Sequence, residues 1–554
     1  NFFKSKIIVL IVTIYLVAVS QVCVYSQEPF LRNRESNPNY EQGDWKSYSV
    51  ARYITSITVG HQYVYFGTRQ SGITRYDQFQ NRWDFPWTTS NGLADNEIWA
   101  LAFDFDTGYL WCASHTAISY YHPTARRWTN YFKDEFGLPM VDEVESIRIE
   151  SNKIFFKTQA GRLYETMKFG SVILVADTNF SKGRNRTANY PHFFMTNGYL
   201  FDPEGIVEDF HFRSAKVEVA YEDNWGNYWI GTDGLGAGKG DRRSLLLEML
   251  DFGLINASVH AMTFHEGVLW IGGIKNFGAN RGITAWDLSR ATWHYYDQRD
   301  ISALRSDKIY AITPDGDNLW FSTGYGLTRY APKNNSWKTF DNFDGLSDNQ
   351  IYDTVVDDSS IWVGTANGID RILKKNLTKK DSLKIERISP GNLTIVEVYD
   401  LELMENLLWA GTDGGIYIYD TTKREGGFSA EIEGPLDRVV TTISRYGNEI
   451  WFGSSAGIDV YDIKKKQWLG VPEGRFFPNT PINRILATKD AVWAATNQGV
   501  LKYNRKSKSW RKFTTEDGLI NNRVNTILLD GDYIWFGTDR GLTQFYWNDP
   551  NRVD

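Results

Sequence analysis

The chain has 554 residues, 15% of them aromatic, with 21 Trp and 47 Gly, and a formal net charge of −7. That length holds several cores or one long array, and the composition excludes a disordered chain while suiting short strands closed by tight turns. A negative mean hydropathy speaks against a multi-span membrane protein, and a mildly acidic charge with no basic stripe leaves no footprint for nucleic acid.

The first element is NFFKSKIIVLIVTIYLVAVS, in which Lys4 and Lys6 precede an apolar run from Ile7 to Val19. This is the pattern of a secretory signal, and the run is short for a spanning helix. Cleavage is expected after Ser20 or Ser26, which gives a signal peptide over 1–26, a linker over 27–43, and a periplasmic or extracellular location. Cys23 raises a lipoprotein alternative, against which stands Val22, where a small residue is expected. After cleavage at Ser26 only Cys112 remains. It sits in LWCAS as a buried apolar thiol, with no disulfide framework.

From Asp44 onward one phrase recurs. It reads VYFGTRQSGITRYD at Val64, LWFSTGYGLTRY at Leu319, IWFGSSAGIDVYD at Ile450 and IWFGTDRGLTQF at Ile534. Its aromatic position falls at Tyr65, Trp111, Phe155, Phe193, Trp229, Trp270, Trp320, Trp362, Trp409, Trp451, Trp493 and Trp535, with Phe193 the most degenerate. A period near 42 marks supersecondary units that cannot bury their faces alone. The last unit predicts four short strands, at 510–513, 524–529, 533–537 and 542–546, separated by EDGLINN, DGD and TDRG. Four antiparallel strands per unit at this period describe β-propeller blades. The fold expected is all-β, a propeller of about twelve four-stranded blades.

The last unit stops after its third strand, and a matching outer strand, DWKSYSV, opens the domain at Asp44. Ring closure by pairing these two ends follows, because it removes exposed sheet edges. Propellers carry four to eight blades, so two consecutive rings are expected, over 44–290 and 291–554. The boundary falls between 243 and 300, and five plus seven blades with a break near 243 is the alternative to six plus six.

These phrases resemble the repeats of the two-component regulator propeller family. The resemblance rests on WFGTDRGLTQFY, TTEDGLINNRV from Thr514, NFDGLSDNQI from Asn342 and TTSNGLADNEI from Thr88, and it spans nearly all of the chain after the leader. It implies tandem propellers of the kind that form periplasmic sensors of bacterial receptors, often upstream of a histidine kinase, or that serve in envelope secretion machinery. The immunoglobulin-like module, membrane span and kinase region that accompany such receptors have no counterpart here. Either the sequence stops short of an output region, or the protein is a free-standing exported propeller working with a separate membrane signalling protein.

No catalytic constellation stands out from the repeat. The eight His form no HExxH, HxH or zinc spacing. TFHEGVLW is read as a hairpin turn, and TDGLGAGKG at Thr232 as an elaborated turn. The acids of DFDTG at Asp104, PDGDN at Pro314, VDDSS at Val356 and LDGDY at Leu529 are read as turn chemistry, since none opens a twelve-residue calcium loop. Two carboxylates on different blades meeting in a ring centre would suit glycoside hydrolysis, but nothing in the sequence selects such a pair. No catalytic residue, metal or cofactor is assigned, and the balance leans against an enzyme.

The informative positions are those the repeat leaves free on the face that carries the second-to-third-strand hairpins. They are Arg69, Gln70, His115, Tyr325, Asn367, Asp413, Gln498, Asp539 and Arg540, groups that suit sugar or peptide recognition. The function expected is that of an exported, non-enzymatic, sensor-like propeller that recognises an oligosaccharide or an envelope protein through this face. Two alternatives stay open: a propeller enzyme, of polysaccharide hydrolase, lyase or streptogramin-lyase type, and a structural component of an envelope secretion assembly.

Overall fold

The computed structural model describes residues 40–41, 43–167, 173–175, 193–195, 198–274, 281–377, 384–389, 396–428, 439–471, 480–550 and 552. The predicted signal peptide, Cys23, His192 and the linker apart from Tyr40, Glu41 and Gly43 lie outside these residues. The described chain is a β-propeller protein. Its residues form eleven sheets, ten of them four-stranded and one seven-stranded, and its only helices are three single 3-10 turns.

The sheets are numbered here as blades in chain order. Blades 1 to 4 cover residues 54–87, 98–132, 144–175 and 194–250. Blades 5 to 10 cover 261–296, 309–340, 351–388, 398–428, 440–469 and 482–513. Blade 11 covers 524–546 together with 45–48. The second strand of a blade shows why the phrase repeats. In Tyr533–Thr538 every residue after the first is buried, because a blade has another blade on each face and both sides of its strands must be apolar. Trp535 packs toward blade 5, against Phe264 and Trp286, while Phe536 meets Trp45 and Trp493. Gly537 stays small because a Cβ there would lie 2.6 Å from Val259 of the neighbouring blade.

Blades 5 to 11 close a ring, each packing on the next and blade 11 on blade 5. The expected closure is present. Trp45–Tyr48 pairs antiparallel with Gly541–Tyr546, Trp45 opposite Phe545 and Tyr48 opposite Leu542. Trp45 stacks on Phe545 with ring centres 3.9 Å apart. Blades 4, 1, 2 and 3 stand side by side in that order. The degenerate phrase at Phe193 belongs to the seven-stranded blade 4, where Phe193 packs on Tyr228, Leu247 and Met249.

The division at residue 290 is corrected by this packing. Residue 290 lies in the turn between Ile283–Asp287 and Thr292–Tyr296, two paired strands of one sheet. Spacing makes all units interchangeable, and the side chains at the joints decide which units meet. Ile54, Ile57 and Phe66 of blade 1 pack with Val219 and Trp229 of blade 4. Tyr48, Val259 and Met262 pack instead with Trp535 and Leu542 of blade 11. We infer a seven-blade ring made of 45–48 and 261–546, with the four-blade group 54–250 set into it between the ring's first strand and the rest.

Two chain passages join the groups and run side by side. Val50 stands opposite Gly253, and the Leu254 N–H donates to the Ser49 carbonyl at 3.0 Å. Gly253 has φ of 83°, and a Cβ there would lie 2.7 Å from that carbonyl, so only glycine fits. An aromatic seam of Trp83, Phe252, Trp293, Trp286 and Tyr48 fills the joint. Arg213 reaches across to Asp297 at 3.3 Å, and His211 to Asp300 at 2.9 Å.

Candidate functional site

In the ring the first strands of neighbouring blades lie against one another around the centre, and in nine of the eleven blades the ladder skips one residue near the start of the first strand, with a tenth such break on Ser214–Glu222 of blade 4. The breaks include Ile309/Ala311, Ile351/Asp353, Val398/Asp400, Val440/Thr442, Ile482/Arg484 and Val524/Thr526 in the ring. A bulge of this kind frees one side chain from the sheet and re-aims it. Because the first strand starts opposite the end of the second, each freed residue shares an edge with the second-to-third-strand hairpin.

What stands at the bulge divides the ring in two. On blades 9, 10 and 11 it is Thr441, Asn483 and Asn525. Each side chain donates to the carbonyl that begins the next blade: Thr441 to Ile482 at 2.9 Å, Asn483 to Val524 at 2.7 Å and Asn525 to Val259 at 3.1 Å. These are staples between blades. On blades 6, 7 and 8 the residue is Tyr310, Tyr352 and Tyr399, each half-buried. Their rings form an arc, 5.5 Å from Tyr310 to Tyr352 and 5.4 Å from Tyr352 to Tyr399. The Tyr399 hydroxyl donates to Glu397 at 2.7 Å. Burial and then the Glu397 charge push the Tyr352 hydroxyl up to about 12. Both phenols therefore stay neutral donors at physiological pH.

Below the arc, carboxylates from adjacent blades meet in the channel wall. Asp353 accepts the Leu401 N–H at 2.9 Å and Asp400 accepts the Ile443 N–H at 2.6 Å, so each ties its blade to the next. Arg484, whose side chain is 42% open to the channel, donates to Asp400 at 2.7 Å. Burial, then the nearby Asp400 charge, raise Asp353 well above the usual carboxylate range. The same two causes push Glu402 up to about 7. Asp353 and Asp400 are committed to backbone N–H groups, and Asp400 also to the Arg484 guanidinium, which makes them staples before they are proton donors. Among the described residues no group of His, Cys, Asp and Glu is placed to hold a metal ion.

Residues 518–540 match the family model for the two component regulator propeller. The matched stretch runs from Gly518 of the DGL loop through the bulge at Asn525, the Asp530 turn and the WFGT strand to the hairpin at Asp539 and Arg540. No curated protein matches the chain. Among solved structures, similarity extends to the extracellular domain of a protein described as a hybrid two component system, BT4673, from B. thetaiotaomicron. Identity is 17%, coverage 90% of this chain and 76% of that one, and TM-score 0.48. The corresponding domain of BT3049 is 18% identical, with 92% and 77% covered and a TM-score of 0.44. PorZ, a surface component of the type-IX secretion system of Porphyromonas gingivalis, is 16% identical, with 89% and 74% covered and a TM-score of 0.46. Likenesses at this level say nothing of ligand or activity.

The repeat's own polar residues are scaffold. The turn acids hold the tryptophans: Trp320 donates to Asp315 at 3.1 Å, Trp362 to Asp357 at 2.8 Å and Trp535 to Asp530 at 3.2 Å. The DGL-loop asparagines bond backward. Asn96, Asn349 and Asn522 accept the N–H of the residue seven positions earlier, at 2.8, 2.9 and 2.8 Å, and so close their own loops. Hairpin glycines 368, 457, 499 and 541 all have positive φ. Glu266 and Gly267, both with positive φ, turn the TFHEG hairpin. In TDGLGAGKG the Thr232 hydroxyl donates to the Gly236 carbonyl at 2.8 Å across the turn.

The nine candidate residues all stand on the hairpin edge but fall into separate groups. Tyr325, Asn367 and Asp413 lie on blades 6, 7 and 8, beside the tyrosine arc. Asn367 accepts from Arg387 at 3.0 Å, and Asp413 accepts the Glu397 N–H at 3.1 Å. Gln498, Asp539 and Arg540 lie on blades 10 and 11, where Asp539 pairs with Arg523 at 3.3 Å and accepts from Asn525 at 3.0 Å. Arg69, Gln70 and His115 belong to the four-blade group. Arg69 pairs with Asp233 at 3.2 Å, and His115 with Glu143 at 2.5 Å, which the buried Lys133 also holds at 2.7 Å. The arc tyrosines were not among the candidates. Their signal is visible once strands are aligned: IYAIT, IYDTV and VYDLE stand where VTTIS, INRIL and VNTIL stand elsewhere.

Proposed function

We propose that the protein is an exported, non-enzymatic binding propeller of the sensor type, and that it recognises an oligosaccharide on the hairpin-bearing face of its seven-blade ring. The observation that carries this reading is the arc of Tyr310, Tyr352 and Tyr399 at the channel mouth. Aromatic faces beside Asn367, Arg387, Glu397 and Asp413 supply the stacking and fixed polar groups that a sugar ring needs. The leader-like start of the sequence supports export. The commitment of the channel acids to backbone N–H groups supports binding over turnover. A separate membrane signalling protein is the partner through which such a sensor would act.

The test is a thermal-shift screen of the purified protein against oligosaccharides, paired with a pull-down from the native envelope. A saturable rise in melting temperature supports the reading, since a ligand of the folded state stabilises it by mass action. A stable protein partner with no sugar response favours the assembly role. Turnover of a glycan or lactone, lost on substitution of Asp353 or Asp400, would make the protein an enzyme.

A further inference from the structure

A second surface lies far from the ring mouth, where the outer strand of blade 11 faces blade 2. There a cleft of about 680 Å³ opens between the two groups of blades, within the size range of ligand sites. The gap is held at a fixed width by direct bonds. The Ser47 and Ser90 hydroxyls lie 2.6 Å apart, and the Asn91 amide donates to the Trp45 carbonyl at 2.8 Å.

Its walls differ in chemistry. One is the turn between Ala117–His122 and Arg127–Phe132, which presents Arg126 and Arg127, both exposed. Neither makes an ion pair among the described residues. The other wall holds Tyr533 and Tyr546, paired across their strands with ring centres 5.2 Å apart. Two of the acids lining the cleft already face a guanidinium: Asp44 pairs with Arg552, and Asp517 lies 3.8 Å from Arg511 and accepts the Thr514 N–H at 2.9 Å. The guanidinium groups thus outnumber the remaining acid, Glu41.

We propose that this cleft binds an acidic saccharide, with Arg126 and Arg127 taking its carboxylate or sulfate and the tyrosine faces taking its ring. Guanidinium groups match such anions in paired hydrogen bonds, and aromatic rings opposite them select a ring-bearing anion over a free inorganic one. An occupant would touch both groups of blades at once. The site is separate from the tyrosine arc and stands or falls on its own.

The experiment is titration calorimetry of the whole protein with tri-galacturonate, a sulfated disaccharide and neutral galactotriose, on the wild type, an Arg126→Ala/Arg127→Ala variant and a Tyr352→Ala/Tyr399→Ala variant. At least one acidic probe should bind the wild type. The arginine variant should weaken it about tenfold or more with an unchanged melting temperature, the tyrosine variant should not weaken it, and galactotriose should not compete. The proposal is overturned if neither acidic probe binds at millimolar concentration, if the arginine variant binds as tightly as the wild type, or if galactotriose displaces the acidic probe. Loss of acidic-probe binding in the tyrosine variant alone would move the site to the ring mouth and equally overturn it.

Discussion

The two halves of the ring's rim are built on one repeat and one backbone device, and they use it for opposite purposes. On blades 9, 10 and 11 the bulge residue is short and polar, and it spends its hydrogen bond on the neighbouring blade's carbonyl. On blades 6, 7 and 8 it is a tyrosine that packs on other tyrosines, and Tyr399 directs its hydroxyl to the rim carboxylate of Glu397. A position that is scaffold in one sector becomes a recognition surface in the other without any change of fold. The lesson is that a repeat hides its variable positions in the strands as well as in the loops.

Both sectors depend on the ring being closed, and the largest effect comes from opening it. Deleting residues 44–50 removes the strand that pairs with Gly541–Tyr546 and the buried Trp45 and Tyr48. Stability should fall by about 3–5 kcal/mol, the loss of a strand's ladder and two aromatic side chains. Deleting 27–39 should change little. The cut must spare Tyr40, whose ring packs edge-on against Trp45 and Phe545 at 5.6 and 5.7 Å. Equal melting temperatures for the two truncations would show that the ring does not need its first strand.

Breaking the staples is the next largest effect. Asn483→Ala with Asn525→Ala should cost about 2 kcal/mol together, about 1 kcal/mol for each hydrogen-bonding side chain lost. Denaturant unfolding measures it, and a loss near zero would mean the carbonyls of Val524 and Val259 find other partners. Tyr399→Phe, by contrast, should leave unfolding nearly unchanged. It frees Glu397 and should alter sugar affinity about threefold, an effect calorimetry resolves.

The smallest effect is electrostatic. Burial and the Asp400 charge raise the Glu402 carboxyl from 4.5 to about 7, with Arg484 and Arg445 opposing. The native state thus holds an extra proton between these values. The stability this gives is fully present below about 4.5 and is lost as pH rises through about 7. Melting temperature should therefore decline across that window from this group. Glu402→Gln should flatten the decline, and an unchanged slope would show that Glu402 does not titrate there.

Much of the fold was legible because the repeat is regular. The strands read at 510–513, 524–529, 533–537 and 542–546 appear as Ser509–Phe513, Val524–Asp530, Tyr533–Thr538 and Gly541–Tyr546. Closure by the first strand was legible because the last unit lacks its fourth. Which blades share a ring was not, since Ile54 meeting Val219, or Tyr48 meeting Trp535, is a tertiary choice that spacing does not encode. On the candidate surface, hairpin residues such as Asn367 and Asp413 stood out because the repeat leaves their positions free on the hairpin edge. Tyr352 did not stand out, because an aromatic next to an apolar residue in a strand reads as core. Only the bulge, a feature of pairing between strands, turns it toward the channel mouth.

The central claim is that one sector of the rim recognises and the other only supports. The most direct test titrates an oligosaccharide found by the thermal-shift screen into Tyr352→Ala/Tyr399→Ala and Asn483→Ala/Asn525→Ala, with the unfolding of each variant measured alongside. The tyrosine variant should bind at least about tenfold more weakly, roughly 1.4 kcal/mol, while melting near the wild-type temperature. The asparagine variant should bind as the wild type does and melt earlier. Full affinity in the tyrosine variant, or loss of affinity only in step with loss of stability, would contradict the account.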